Sequence, residues 1–419
     1  MIGPAANVLK MPLAPPKQKV RREQQAEPPT PPPSVKVPPL SNELLARVVD
    51  FLQGDVRSLK SCSLASRRFS PFTRRYLFHV VHLNLRNCEK FMRILEASPE
   101  VGPFVRELHV TVSAHESPPW IDNRLASISE KLPKVAALYL KGKAIYTAPP
   151  LLGFQAIKSI HFLACELDST ATFLTLVGSF PHLESVYANE LVVYRESDSA
   201  MKKFVPSSDR RSQNFRSMTF NSCRMDPDRF ADFFATSGFQ NTLDYFASCP
   251  LQEIALPAVG RILRSCGSRL KHFKLALVAM KEQGGFIEPL AKHVDLALNT
   301  GLVTLELCSP AAYARMYEAD DLSCDWFPHL LAQVASPYIA ELGFYLWAGD
   351  LPALAAPAWD AIAALLATPR FSGLQRLAFH VWGDEPATRE IAAAVRRRFA
   401  DLDARGVLHI DSTPDPACV

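Results

Sequence analysis

Nowhere does this chain offer the roughly 20 consecutive apolar residues that a membrane-crossing helix requires, so no membrane contact is expected. Its opening stretch, MIGPAANVLKMPLAPPKQKVRR, holds no apolar core of signal-peptide length. Charge of one sign is also lacking. The 46 basic and 42 acidic side chains leave a formal net charge of +4, so there is no global field to steer a polyanion. Any nucleic-acid site would have to be a local patch. The nine cysteines are odd in number and include no C-x-x-C pair, which does not fit a secreted disulfide framework. The expectation is a reduced, intracellular, cytoplasmic or nuclear protein that is monomeric on its own. Catalytic signatures are missing as well: there is no G-x-S-x-G, H-E-x-x-H, G-x-x-x-x-G-K-[ST] or G-x-G-x-x-G. Asp320 and Asp321 sit side by side, but nothing assigns them roles. No enzymatic activity, no metal and no cofactor are expected.

Proline, by contrast, is abundant. Eleven of the 34 prolines fall within the first 39 positions, where apolar periodicity is absent. Residues 1–38 therefore read as a disordered tail that cannot offset its own ordering entropy. Within it, PPKQKVRR reads as either a nuclear-import signal or the solvated basic end of the arm. From Leu40 the character changes. LSNELLARVVDFL sets Leu44, Leu45, Val48, Val49 and Leu52 on one helical face, with Ser41 as N-cap and Glu43 in the first turn. After the break at Gln53–Asp55, Leu59, Cys62, Ala65 and Phe69 space a second helical segment, expected to stop at Pro71.

The remainder repeats itself. A hexad with apolar first, fourth and sixth positions recurs eleven times, with its fourth position at Leu83, Leu108, Leu138, Ile160, Val186, Met218, Ile254, Phe273, Leu305, Leu342 and Leu377. The last three residues of each alternate like a half-buried strand. Helix-like stretches lie between them, as in DPDRFADFFATSG, and prolines such as Pro103, Pro133, Pro181, Pro250 and Pro337 precede several hexads. Strand and crossover at regular intervals predict an α/β solenoid over 81–411, with a parallel sheet on its concave face, because each unit needs its neighbours to cover it. The pattern resembles irregular leucine-rich repeats. Cys88, Cys165 and Cys223, each three residues past a hexad, stand where those repeats place an asparagine or cysteine. A C-terminal helix with Ile391, Val395 and Phe399 on one face is expected to cap the last repeat, with 412–419 as a flexible tail. The polar stretch Tyr194–Asn214 reads as a loop.

LKSCSLASRRFSPFTRRYLF, Leu59–Phe78, interleaves five basic residues with aromatics and holds no acid. Taken alone it suggests either a nucleic-acid patch or a basic docking helix. Taken with the helix before it, residues 39–80 resemble an F-box, the adaptor-docking motif. Leu40, Glu43, Leu44, Leu45, Val48, Val49 and Leu52 match the L-P-x-E-[IL]-L-x-x-[IL]-[IL]-x-x-L opening, and Leu59 matches the leucine of the next helix. Ala65, Ser66, Arg67 and Phe69 occupy the V-C-[KR]-x-W signature, with Cys62 one turn earlier. Ser41 stands where the family usually has proline, and Phe69 where it has tryptophan. The phrasing is similar to fungal, basidiomycete-like F-box proteins in which the motif runs straight into degenerate repeats. The resemblance implies a substrate receptor of an SCF-type (Skp–cullin–F-box) ubiquitin ligase, with the F-box on the Skp adaptor, a cullin–RING ligase beyond it, and a target protein on the repeats. It implies no nucleic-acid partner. The alternatives are helices that merely cover the end of the solenoid, and a repeat scaffold without ligase function.

On the strands, the residues between the two core positions face outward: Asn84, His109, Tyr139, His161, Tyr187 and Thr219, then Ala255, Lys274, Glu306, Gly343 and Ala378. Glu107, His109, Tyr139, His161 and Tyr187 are the candidate target-binding residues, because polar aromatics make interface anchors. An ordinary solvated sheet face is the alternative. A metal site from His82, His109 and His161 has no evident fourth ligand.

Overall fold

The computed structural model describes residues 40–112, 124–142, 145–146, 148–193, 214–251, 253–277, 287–309, 324–347, 357–383 and 385–413. The 1–38 segment, residues 194–213, Asp320 and Asp321, and residues 414–419 lie outside the described residues. No helix among those described is long and apolar enough to cross a membrane.

Three helices open the described chain. In α1 (Asn42–Phe51) the Ser41 hydroxyl accepts from the Leu44 N–H at 3.3 Å, and in α2 (Val56–Ala65) Asp55 caps the N–H groups of Arg57 and Ser58 at 3.1 Å each. Pro71 does not stop the second helix. The chain turns at Ser66–Phe69 and Pro71 lies in the first turn of α3 (Ser70–Leu77), where its missing N–H costs no hydrogen bond. Leu45, Val49 and Leu59 are buried between the helices. Helix α3 lies against α1, α2 and the 3-10 segment Pro99–Phe104, and Arg74 pairs with Glu100 there at 2.8 Å.

Twelve strands then form one parallel sheet in strict chain order. They are β1 (Val80–Leu83), β2 (Glu107–Thr111), β3 (Ala137–Lys141), β4 (Ser159–Leu163), β5 (Ser185–Asn189), β6 (Ser217–Asn221), β7 (Tyr245–Leu251), β8 (His272–Leu277), β9 (Thr304–Cys308), β10 (Glu341–Trp347), β11 (Arg376–Trp382) and β12 (Leu408–Thr413). The expected α/β solenoid of leucine-rich-repeat character is the observed architecture. Inward pairs lie in register from strand to strand: Leu108 beside Leu138, Ile160, Val186 and Met218, and Val110 beside Leu140, Phe162, Ala188 and Phe220. The apolar residue three places before the first inward position, from Val105 to Leu374, is buried as well. A second, three-stranded sheet of Ile145–Tyr146, Glu166–Leu167 and Val192–Val193 runs beside the early repeats.

Four bends leaving strands share a positive φ and one hydrogen-bond pattern. Gly142, Ala164, Glu190 and Ser222 directly follow β3 to β6 and have positive φ, between 52° and 109°. Each donates its N–H to the last residue of a following strand, Leu163, Asn189, Asn221 or the Cys249 carbonyl in β7, at 2.8–3.1 Å. At Gly142 a Cβ would collide with the Val112 carbonyl, so this bend requires glycine. Next to these bends, Cys165 donates to the Leu140 carbonyl at 2.8 Å and Cys223 to that of Ala188 at 3.5 Å, the structural role expected of both. Cys88 differs: it opens helix Cys88–Ala97, and Asn87 bridges the bend by donating to the His82 carbonyl and accepting from the Asn84 N–H, both at 2.8 Å.

Three expectations are corrected. In the first repeat the inward pair is Val81 and Leu83, in register with Leu108 and Val110, so His82 rather than Asn84 joins the outward row. The seventh strand is Tyr245–Leu251, not a strand around Ile254, which is 68% exposed on a 3-10 turn. Its inward pair is Phe246 and Ser248, Ala247 replaces Ala255 in the outward row, and Pro250 lies inside the strand rather than ahead of it. Finally, helix Glu385–Arg398 does not cap the array. Its Ile391 and Val395 are buried as expected, but it crosses over to β12, which pairs with β11 and carries the sheet to Thr413.

Stacked repeats share one core, so a single inward truncation should weaken the whole array. Leu305→Ala is expected to lower unfolding stability by about 2–5 kcal/mol, read from denaturant unfolding, while Leu64→Ala on the exposed helix surface should stay within ~0.5 kcal/mol.

Candidate interaction surfaces

The helical unit presents two different faces. One is spent internally on Leu45, Val49 and Leu59, with Leu52, Cys62 and Phe69 half-buried. The other is apolar and open. Leu44, Val48 and Phe51 lie one turn apart along α1, with Leu40 before them, and Phe51 is 90% exposed. Val56 and Leu64 of α2 are exposed too, Leu64 at 87%. Among the expected adaptor residues, Leu40, Glu43, Leu44, Val48, Ala65 and Arg67 are therefore on the surface, while Leu45, Val49 and Leu59 hold its shape from within. Phe51, Val56 and Leu64 were not singled out in the sequence; the exposed apolar i, i+4, i+7 spacing 44–48–51 is the signal that would have found Phe51.

The basic stretch is largely engaged within the protein. Arg68 donates to the Leu40 carbonyl at 2.6 Å and to Asn42 at 3.0 Å. Arg75 pairs with Asp50, which also accepts from the Tyr76 hydroxyl at 2.9 Å, and the Arg75 guanidinium lies 4.7 Å from the Tyr76 ring centroid. With Arg74 on Glu100, two arginines tie α3 to its neighbours and Arg68 ties the turn before it to the start of α1, rather than forming a free cationic strip.

The open face of the sheet carries the target candidates, and they form a stack. His82, His109, Tyr139, His161 and Tyr187 lie side by side on β1 to β5, with successive ring centroids 4.3, 4.1, 4.1 and 5.7 Å apart. His109 and Tyr139 are parallel, and the Tyr187 hydroxyl accepts from Asn221 at 3.2 Å. Glu107 lies 3.9 Å from the His109 Nε2 atom. Parallel in-register strands place these rings at the strand spacing, which is close to the thickness of two stacked π systems. Tyr139 stands between His109 and His161, and no group of three metal-ligating side chains among the described residues is arranged to hold an ion, so the His82–His109–His161 metal reading is not supported.

Farther along, the outward row changes to Ala247, Lys274, Glu306, Gly343 and Ala378. Lys274 and Glu306 pair at 3.1 Å with side chains 21% and 24% exposed, and the Lys274 ammonium lies 3.6 Å from the Tyr345 ring centroid. Burial pushes the ammonium towards neutrality, but Cys308, Glu306 and Tyr345 around it outweigh that and raise its pKa. Gly343 gives the Glu306 side chain room, because a Cβ there would sit 3.1 Å from its Cγ. Burial also drives the Tyr245 hydroxyl up to about 12 and lifts the Cys249 thiol well above its usual range.

Two measurements check this electrostatic picture. His109 and His161 both have lowered pKa values, His109 through burial and His82, His161 through burial and His109. Their unfolded forms titrate near 6.5, so the folded state binds fewer protons below that pH and loses stability as pH falls through the window from about 6.5 to the lower folded values. His109→Gln with His161→Gln should flatten the fall in unfolding free energy between about pH 7 and 5. Separately, Glu306→Ala leaves a mostly buried ammonium unpaired and should cost about 2–4 kcal/mol in denaturant unfolding, part of it recovered by adding Lys274→Met.

No protein-family model matches the chain, and no curated protein does. Solved structures do match. A crystal structure of an internalin from Listeria monocytogenes is 13% identical, covering 75% of this chain and 82% of its own, with a TM-score of 0.32. A crystal structure of a protein from Bacteroides fragilis is 11% identical, covering 80% of this chain and 75% of its own, also with a TM-score of 0.32. At that level of likeness the fold assignment rests on this protein's own twelve-stranded parallel sheet.

Proposed function

We propose that this protein is the substrate-recognition subunit of an SCF-type ubiquitin ligase, docking an Skp-type adaptor through α1 and α2 and holding a target protein on the open sheet face. The observation that carries the reading is the unpartnered apolar surface of Leu40, Leu44, Val48, Phe51, Val56 and Leu64 on helices whose other face is already buried. Six exposed apolar side chains on a unit of about 40 residues are the kind of surface that marks a protein partner. The resemblance of residues 39–80 to an F-box supports an Skp-type adaptor as that partner. Through the adaptor the protein joins a cullin–RING ligase. It supplies proximity rather than chemistry, raising the effective concentration of a target lysine near the conjugating enzyme.

The target surface in this reading is the stack of His109, Tyr139, His161 and Tyr187 with Glu107 beside it. Aromatic side chains already fixed by stacking lose little rotamer freedom on binding, which suits them as anchors. The stacked array continues the sheet that starts beside the docking helices, so one rigid body would carry adaptor and target together.

Co-expression with an Skp adaptor tests the reading. A stable 1:1 complex is expected, weakened at least ~100-fold by Leu44→Asp with Val48→Asp, and weakened measurably by Phe51→Ala with Leu64→Ala. A monomer with no adaptor affinity would instead favour a repeat scaffold without ligase function, and unchanged adaptor affinity in the charged variant would overturn the α1 docking surface. Alanine at Tyr139 and Tyr187 should abolish target pulldown while leaving the adaptor complex intact.

A further inference from the structure

The inward ladder has one conspicuous gap. At its second position β6 carries Phe220 and β8 carries Leu275, but β7 between them carries Ser248, in register with both. Ser248 is only 6% exposed, and its hydroxyl has no hydrogen-bond partner among the described residues. The hydroxyl oxygen is not sealed in the core but opens on the space beside it, where a bound molecule can satisfy it. Where the layer would otherwise be filled, there is a cavity of about 610 Å³.

Its walls are Phe220 and Phe246 of the sheet, Phe230 of helix Pro227–Ser237, and Val259 and Ile262 of helix Leu256–Cys266. Two charged residues are also on the lining. The Asp226 carboxylate is fully occupied: it accepts from the N–H groups of Asp228 and Arg229 at 3.2 and 3.3 Å and pairs with the Arg229 Nε at 3.4 Å. Arg224 is exposed, and no carboxylate among the described residues pairs with it. The site thus combines an apolar chamber, one hydroxyl on its wall with no protein partner and one cation with no carboxylate paired to it among the described residues. Its volume is that of a small-molecule pocket.

We propose that this cavity binds an oxygenated amphiphilic carboxylate. The apolar body lies among the phenylalanine rings and the Val259–Ile262 face, a hydroxyl or carbonyl oxygen on that body meets the Ser248 hydroxyl, and the carboxylate pairs with Arg224. The site belongs to the middle of the solenoid, at the seventh strand, and does not depend on the adaptor reading of α1 and α2.

The probe is 10-hydroxydecanoate, titrated into the full chain by calorimetry. Saturable binding is expected at or below about 100 μM, with decylammonium at least ~10-fold weaker. Ser248→Leu restores the side chain that the neighbouring strands carry. It should raise the melting temperature of the ligand-free protein and weaken the probe at least ~10-fold. Ala258→Leu, which narrows the chamber from the helix side, should weaken it without touching the strand. Ser248→Ala should erase the preference for 10-hydroxydecanoate over decanoate, and Arg224→Ala the preference for carboxylate over ammonium. The proposal is overturned by an absence of saturable binding up to about 1 mM, by equal binding of the ammonium, or by undiminished binding in both filled variants.

Discussion

Everything in this molecule depends on one repeat covering the next. Each unit offers about three inward apolar side chains, worth roughly 1.5–3 kcal/mol apiece when buried. Ordering a unit's backbone costs about 1–2 kcal/mol for every residue in it, so no unit stands alone. The lateral β-ladder and the shared inward layer settle the matter together: in the twelve-stranded sheet each strand pairs with the next strand of that sheet along the chain, and the inward positions line up across them. The bends obey the same constraint. Non-glycine residues at Ala164, Glu190 and Ser222 hold left-handed backbone because their N–H groups are taken up by the following strand. Burial pushes the Cys165 and Cys223 thiols up to about 12, which keeps them as hydrogen-bond donors to neighbouring backbone rather than nucleophiles.

The inward layer is mostly given over to packing, and among the described residues two surfaces that packing does not consume differ in chemistry. The helical unit leaves aliphatic and aromatic side chains uncovered, whereas the open sheet face displays rings and charges fixed against one another. Along that face the character shifts from the imidazole and phenol stack of β1–β5 to the Lys274–Glu306 pair under Tyr345. A partner reading the first half meets ring edges; one reading the second half meets a paired charge already shielded from water.

Periodicity made most of the sheet legible in the sequence, and its failures have physical causes. LQEIAL at Leu251 satisfies the hexad as well as any true repeat does, while the real strand, LDYFAS, puts a serine where the pattern wants an apolar residue. Spacing rules favour the more apolar reading, so the polar Ser248 at an inward position hides the strand. Val80 was misplaced for the opposite reason: Phe78, Val81 and Leu83 compete with Val80, Leu83 and Leu85 in overlapping windows, and only burial chooses between them. The last strand was missed because one short apolar alternation after a long helix carries little signal. Outward residues could be assigned to a face, and Glu107, His109, Tyr139, His161 and Tyr187 all lie there. That their rings stack, that Gly343 makes room for Glu306, and that Phe51 is left bare all depend on side-chain placement, which spacing does not encode.

The strict chain order of the sheet gives the molecule a built-in ruler. Neighbouring strands lie about 4.8 Å apart, so each repeat adds one fixed step and twelve strands span roughly 53 Å of arc. A ligand resting on Tyr139 is about two steps, ~10 Å, along that arc from the strand that follows the helices, whereas one at Glu306 is about eight steps, ~38 Å, away. Sequence position along the array is therefore converted directly into reach, and inserting or deleting a whole repeat would change how far a bound molecule is held from the helical end without altering the surface that holds it.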